Sequence, residues 1–381
     1  MALMVYLNRV QFARGAIATL AEELALAGIT RPLVVTDTGI RAAGIWDRVQ
    51  AMLPAGTAVA LFDAVPPNPT EAAVRAAAAT YRAHDADGVI GLGGGSPLDL
   101  AKAVALLATH GGGALAPFAV IEGGLARITA SAAPVVAIPT TSGTGSEVSR
   151  GALIVLDDGR KLSIGSPHLI PRTAICDPDL TLGLPPLLTA GTGMDALTHC
   201  VETLCSPREN PVADAIARDG LARAWRFLPR AVADGADAAA RHAMMLASMQ
   251  GALAFQKGLG AVHALSHPLG GLPGGLHHGT LNAVLLPHVL RFNAPAIGAV
   301  LPVLAEAIGL PDADVATVAN AIAALSRRIG LPATLTEMGV PAASLPAIAA
   351  AGTRDHHHLT NPRRASEADY LVLLNAAHTG G

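Results

Sequence analysis

The sequence predicts an α/β domain with a mostly parallel sheet, followed by an all-helical domain. Three observations carry that expectation. The chain has 381 residues, and single cores stop growing beyond about 250–300 residues, so two cores are expected. In the first half, short apolar runs alternate with helix-like stretches, the pattern of helices packed on both faces of a parallel sheet. From about residue 181 the apolar residues recur with helical period, and no comparable β-branched run is present. The expected domains are therefore 1–180 and 181–381. The change of texture falls in "CDPDLTLGLPP" (176–186), which is rich in turn formers.

Each element follows from its own residues. "PLVVTD" (32–37), "AVALF" (58–62), "DGVIGL" (87–92) and "PVVAIPT" (134–140) are short, apolar and partly β-branched, and read as strands. "WDRVQAML" and "TEAAVRAAAATYRAH" between them read as helices. The later stretches "ADAIARDGLARAWRFLPRAV", "AARHAMMLASMQGALAFQKGLGAVHALSH" and "DADVATVANAIAALSRRIG" are Ala/Leu-rich helices. The uncharged run "AVALLATHGGGALAPFAVI" (103–121) is long enough for a membrane span. His110, three glycines and Pro117 interrupt it, so it is expected to be a helix end, a loop and a strand.

Composition removes several classes of function. A net charge of −3 with scattered arginines offers no basic stripe for nucleic acid. Cys176, Cys200 and Cys205 have no CxxC spacing and cannot all pair, which suits reduced thiols in the cytoplasm. The start, "MALMVYLNRVQFARG", lacks the basic and long apolar regions of a signal peptide. No partner membrane is expected.

Two loops at strand ends suggest a bound anion. In "GVIGLGGGSPLDLAKAVALL" (88–107) a strand runs into Gly93-Gly94-Gly95, after which Ser96 fits a helix N-cap, Pro97 the first helical position and Asp99 the third. Glycines allow close backbone approach and a helix N-terminus favours anions, so a pyrophosphate suits the place. The motif is neither GxGxxG nor a Walker loop, and a tight turn without ligand would carry the same glycines. "PTTSGTGSE" (139–147) adds five hydroxyl residues at another strand end, where open α/β sheets bind ligands. Asp37, closing "PLVVTD", can accept hydrogen bonds from ribose hydroxyls and would repel a 2′-phosphate, which favours NAD over NADP. It can equally cap the segment that begins at Thr38.

The second half concentrates histidines on apolar elements. Asp195 and His199 in "GMDALTHCVE" (193–202) are one helical turn apart, as are His263 and His267 in "HALSHPLGG" (263–271). His277 and His278 follow in a Gly-rich loop. One such histidine is usually an ordinary core residue. Several, with an aspartate, suit a divalent metal held by imidazole and carboxylate, with room for a substrate oxygen.

These motifs together resemble the iron-dependent, group III alcohol dehydrogenases, a family that includes lactaldehyde and maleylacetate reductases. The resemblance spans essentially the whole chain. It rests on "PNPT" (67–70), "GGGSPLDLAK" (93–102), "PTTSGTGSEV" (139–148), "GMDALTHCVE", "HALSHPLGG", "HHGTLNAVLLPH" (277–288) and "NPR" (361–363). It implies a dinucleotide-binding N-terminal domain and a helical metal-binding domain, an architecture shared with dehydroquinate synthase. The implied metal ligands are Asp195, His199, His263 and one of His277 and His278; the family's "PHGxxNA" aligned on "HHGTLNA" assigns His278. His267 matches a histidine near the nicotinamide and is the implied catalytic residue. Asn68, Gly94, Gly95, Ser96, Thr140, Thr141, Thr144 and Lys161 are the implied cofactor contacts.

The function this implies is hydride transfer between a primary alcohol or aldehyde, a hydroxy acid included, and NAD(H). The metal would be Fe2+, with Zn2+ the alternative. The family also implies a homo-oligomer, a dimer or larger. Phe255 and Leu259, one turn apart before His263, are expected to wall the substrate pocket, with His357 of "DHHHL" (355–359) facing the substrate. Gly151 stands where the family often has a polar residue, and Arg150 or a protonated histidine could attract a carboxylate. Two rivals share the chemistry: a maleylacetate reductase, and a sugar-phosphate cyclase that releases its NAD unchanged.

Overall fold

The computed structural model describes Met4, Tyr6, residues 8–111 and residues 113–380. The chain divides into an α/β unit, Tyr6–Thr141 with Ser146–Gly183, and a helical unit built on Leu184–Gly381 with Ser142–Gly145. The loop "PTTSGTGSE" is thus shared out: Thr140 and Thr141 belong to the α/β unit, whereas Thr144 belongs to the helical one.

The strands are β1 (Arg9–Phe12), β2 (Pro32–Val35), β3 (Ala60–Phe62), β4 (Gly88–Gly93), β5 (Val135–Pro139), β6 (Gly151–Val155), β7 (Lys161–Gly165) and β8 (Thr173–Cys176). Six of them form one sheet in the order β1-β8-β5-β4-β2-β3, parallel throughout. β6 and β7 form a separate antiparallel hairpin. Alternate residues serve two cores. Leu33, Val35, Val89 and Val135 pack on one face with Val74, Ala77, Leu100 and Val104. Val34, Ile90, Val136 and Ile138 pack on the other with Leu20, Leu24 and Trp46. Burial on both faces explains why these strands are continuously apolar.

Five helices accompany the sheet: α1 (Leu20–Ala27), α2 (Thr38–Ala42), α3 (Ile45–Gln50), α4 (Glu71–Ala83) and α5 (Gly95–Leu107). The helix after the triple glycine differs from the expectation. α5 starts at Gly95 and its N-cap is Gly94, which has no side chain to cap with. Ser96 instead gives its hydroxyl to the Pro67 carbonyl. Asp99 reaches outward to Ser146 Oγ and to the Leu153 amide at 2.8 Å. After α5 the stretch expected to finish in a strand forms short 3-10 turns at Ala116–Phe118 and Val120–Glu122. Pro117 lacks an amide hydrogen, and only Ala119 makes a single bridge, to Ile164.

The helical unit contains α6 (Pro186–Cys205), α7 (Pro211–Ala233), α8 (Ala238–Ala254), α9 (Ala261–Gly270), α10 (His278–Asn293), α11 (Leu301–Ala307), α12 (Val315–Arg328), α13 (Leu345–Gly352) and α14 (Glu367–Thr379). α6 is buried from Thr189 to its end. It packs against α7, α8 and α10 through a core that includes Met194, Leu197, Leu221, Leu228, Met244 and Leu281. The single helix expected over 239–267 is two helices. α8 ends at Ala254, a 3-10 turn covers Phe255–Lys257, and Gly258 takes φ +117°, a conformation that suits glycine. Phe255 and Leu259 are therefore not successive turns of one helix, as was expected. Among the described residues no helix is long and apolar enough to cross a membrane.

Candidate metal centre and nucleotide cradle

Three helices converge on Asp195. α6 carries Asp195, His199 and Glu202 at positions i, i+4 and i+7, so one face presents all three. α9 carries His263 and His267. Its N-cap, Gly260, provides no cap of its own. Two distant side chains take the exposed amides instead: Asn361 Oδ1 accepts from Ala261 at 3.0 Å and Glu202 Oε1 from Val262 at 2.7 Å. Asn361, from the "NPR" motif, is fixed in turn by reciprocal amide bonds with Asn293 at 2.8 and 3.0 Å. α10 begins at His278, and His277 is its N-cap, accepting from the Thr280 amide at 3.3 Å through Nδ1.

α6 and α10 approach each other through glycine. A Cβ on Gly279 would lie 2.1 Å from the Gly191 carbonyl oxygen, and one on Gly191 would lie 2.6 Å from the His277 ring. That contact brings Asp195 to the start of α10.

The resulting geometry is compact. Asp195 Oδ1 stands 3.6 Å from Nε2 of His199, of His263 and of His278. Donors bound tetrahedrally at about 2.0–2.2 Å lie about 3.4 Å apart; the ligand atoms of Asp195, His263 and His278 all lie within 4.8 Å of one another, which suits a single divalent ion, and His199 adjoins that group through Asp195. Asp195, His199 and His263 are buried, and His278 is part-exposed, which leaves one approach open. The His263 ring is oriented by Glu202 Oε2, which accepts from Nδ1 at 2.6 Å and so turns Nε2 toward Asp195. Asn282, one turn after His278, donates Nδ2 to Asp195 Oδ1 at 2.7 Å and stands 3.3 and 3.2 Å from Nε2 of His263 and His278. Its buried Oδ1 has no partner.

The electrostatics agree with a charged carboxylate among imidazoles. Burial alone would raise the Asp195 carboxyl, but His199, His278 and His263 together hold it far below the usual carboxylate range. Burial pushes His199 down to about 4 despite Asp195. His263 is also disfavoured by burial, yet Asp195 and Glu202 raise it to about 9.

Beside this cluster His267 Nδ1 bonds Asp355 Oδ2 at 2.8 Å, and its ring stacks on His278 with centroids 5.5 Å apart. His357 stands 5.8 Å from His263 and 5.4 Å from His267, ring to ring. Phe255 meets His199 edge-on at 5.1 Å, and Leu259 is buried. Glu202, Asn282, Asn361 and Asp355 were not singled out from the sequence. The spacing signal existed for the first two: Glu202 is seven residues after Asp195, and Asn282 four after His278.

The α/β unit holds the second site. The order β3-β2-β4-β5-β8 reverses direction between β2 and β4, the point at which doubly wound sheets bind ligands beyond the strand C-termini. Thr36 and Asp37 follow β2, Gly93 ends β4 with Gly94 leading into Gly95 of α5, and Thr140 and Thr141 follow β5. A Cβ on Gly94 would lie 3.2 Å from the Thr141 side chain, which would have to give way, so the glycine keeps that cradle open. The buried hydroxyls of Thr36 and Thr140 have no partners, which suits a polar guest. Lys161 Nζ donates to Asn68 Oδ1 at 2.8 Å, which joins two of the expected cofactor contacts. Asp37 Oδ1 accepts from the Ile40 amide at 2.9 Å and caps α2. Gly151 lies in β6 and gives its carbonyl to the buried Lys102 ammonium, which also binds the Ser146 carbonyl at 2.9 Å. Lys102 thereby fixes the loop that follows Thr141.

This combination, a switch-point cradle on a parallel sheet and an aspartate–trihistidine cluster on a helical unit, defines a metal- and nucleotide-dependent class of enzyme. The chain belongs to the iron-containing alcohol dehydrogenase family: residues 8–178 match the family profile described as "Iron-containing alcohol dehydrogenase", and 189–378 match "Fe-containing alcohol dehydrogenase family, C-terminal". It is similar to 4-hydroxybutyrate dehydrogenase of Cupriavidus necator, 55% identical over 383 residues that cover 98% of this chain and 99% of that protein. A crystal structure of 1,3-propanediol oxidoreductase superposes with a TM-score of 0.92 at 37% identity, over 99% of this chain and all of that one. Sulfoacetaldehyde reductase from Bifidobacterium kashiwanohense, solved in complex with NAD+, superposes with a TM-score of 0.88 at 28% identity, over 100% of both chains. The chain is thus an oxidoreductase of the iron-containing alcohol dehydrogenase type, acting on alcohols.

Proposed function

We propose that this enzyme interconverts an ω-hydroxy carboxylate of the 4-hydroxybutyrate kind and its aldehyde, with NAD(H) as the hydride partner. The observation that carries the reading is the Asp195 carboxylate at 3.6 Å from three imidazole nitrogens. Asp195, His199, His263 and His278 would hold one metal ion, iron by family and Zn2+ as the alternative. His277, committed to capping α10, would not. The bound ion supplies Lewis acidity toward the alcohol or carbonyl oxygen. Glu202 keeps a proton on His263 Nδ1 and so keeps Nε2 available as a ligand. Asp355 does the same for His267, which leaves His267 Nε2 to exchange the hydroxyl proton. Phe255, Leu259 and His357 border the substrate and exclude water.

The cradle after β2, β4 and β5 would bind the dinucleotide. Gly94, Gly95 and Ser96 would meet the pyrophosphate, with Thr140 and Thr141 alongside. Asn68, Lys161 and Asp37 would complete the contacts within the α/β unit, Asp37 through the carboxylate oxygen that does not cap α2. Gly151 leaves space in β6. The substrate class is supported by the 55% identity to the Cupriavidus necator enzyme over nearly the whole chain. The cytoplasm suits three free, buried cysteines, and a homo-oligomer is what the family resemblance suggests. The test is NADH formation from 4-hydroxybutyrate, 1,3-propanediol and ethanol by Fe-loaded and Zn-loaded protein. The reading requires turnover highest with 4-hydroxybutyrate and NAD+, lost on chelation. Equal rates on all three alcohols would remove the substrate assignment, and turnover without metal would remove the mechanism.

A further inference from the structure

A groove of about 490 Å³ lies on the helical unit between α10, α12 and the turn at Pro332–Ala333. That volume lies within the range of small-molecule sites. Its polar lining is His288 and Arg291 from α10, and Asn320, Ser326 and Arg327 from α12, with no carboxylate side chain among the lining residues. Arg291 is already set in place: it donates to the Pro287 carbonyl at 3.1 Å and to Asn320 Oδ1 at 2.7 Å, which leaves further N–H groups for a ligand. Glu337, which accepts from the Ala333 amide at 2.8 Å, is not among the lining residues.

Ser326 is the second, independent observation. It is 4% exposed, it lines the groove, and its hydroxyl has no hydrogen-bond partner. Helical Ser and Thr usually bond the carbonyl one turn back, as Thr80, Thr192 and Thr198 do here. Ser326 does not, and an unpaired buried hydroxyl is unfavourable unless a guest supplies the partner.

We propose that this groove binds a small metabolite bearing an oxyanion, a carboxylate or a phosphate, held by Arg291 and Arg327 with the His288 ring and with the Ser326 hydroxyl, which a rotation about χ1 brings from the wall to the guest. Planar guanidinium groups suit the bidentate geometry of such anions. The groove also has a route to the chemistry. α10 starts at His278 and carries Asn282, and His288 lies ten residues further along the same helix, about 15 Å away at 1.5 Å per residue. The groove and His278 thus share one helix.

The test uses the full chain, with inorganic phosphate and succinate as probes against sodium chloride of matched ionic strength. Thermal melts are recorded for wild type, Ser326→Ala and Arg327→Gln. Neither substitution removes a bond made in the free protein. The expected result is a saturable rise of about 2 °C or more in wild type, absent in both variants. A response to phosphate alone assigns a phosphate ester, and a response to succinate alone a carboxylate. Phosphate also suits the loop after β4, so the difference between wild type and variants decides. Equal shifts in all three proteins, or none beyond chloride, would overturn the proposal.

Discussion

Replacing Glu202 with Gln should weaken metal binding while leaving the fold intact. The carboxylate makes two charged hydrogen bonds in a nearly dry place, at 2.6 Å to His263 Nδ1 and 2.7 Å to the Val262 amide, and it is 4% exposed. Glutamine is the same size and keeps one acceptor, which the Val262 amide can retain. Its –NH2 then faces His263 Nδ1, and two donors cannot share that bond. The ring must then give up its Nδ1 proton and hold one on Nε2, the nitrogen 3.6 Å from Asp195 Oδ1. Binding a cation at Nε2 would force the ring's proton back onto Nδ1, against the amide, a conflict the wild-type carboxylate does not have. Outer partners of metal-binding histidines typically contribute about 10–100-fold in affinity, or about 1.4–2.7 kcal/mol. The assay is competition for Zn2+ or Fe2+ against a chromophoric chelator, with circular dichroism to confirm helicity. A loss within that range fits the reasoning. Affinity within about twofold of wild type would refute the orienting role, and complete loss matching His263→Ala would make Glu202 a ligand itself.

Three further outcomes follow from the same geometry. Gly279→Ala places a Cβ 2.1 Å from the Gly191 carbonyl, so α10 must shift from α6; urea unfolding should show a loss of about 1–3 kcal/mol, with metal stoichiometry reduced. Thr140→Val removes a buried hydroxyl without a partner; stability should hold or rise slightly, whereas NADH binding by fluorescence should weaken several-fold. Glu23 accepts from Arg9, Gln11 and Thr173, and these bonds, chiefly the one from Arg9, lower it from 4.5 to about 2. A lowered acid stabilises the fold above its unfolded value and loses that contribution as pH falls from about 4.5 toward 2. Because Arg9 is 57% exposed, about 2 kcal/mol is expected rather than the full shift, and Glu23→Gln should flatten the urea-unfolding profile over that window.

Legibility in the sequence followed the range of the interactions. The Asp195–His199 and His263–His267 pairs each lie within one helical turn, so their spacing alone put both side chains on one face. The triple glycine, the central strands and the change to helical texture were equally local. β1 and β8 were not legible, because "RVQF" and "TAIC" are four residues each and become strands only through distant partners, β8 beside β5 and β1 beside β8. The break at Gly258 was hidden in an Ala/Leu-rich run whose helical period continues on both sides. Ser96 looked like an N-cap by residue type, but the Pro67 carbonyl, 29 residues away, claims its hydroxyl. Asn361 closes the N-terminus of α9 from 100 residues away, and no local pattern can show such a partner. The choice between His277 and His278 was likewise not local: the contact of Gly279 with Gly191 turns one ring to the helix cap and the other toward Asp195.

The central claim is that Asp195, His199, His263 and His278 hold one divalent metal. Metal content of anaerobically purified protein tests it most directly, measured on wild type, His278→Ala and His277→Ala. About one Fe or Zn per chain in wild type, retained in His277→Ala and lost in His278→Ala, is the predicted result. Metal retained in His278→Ala and lost in His277→Ala, or no metal taken up by wild type, would contradict it.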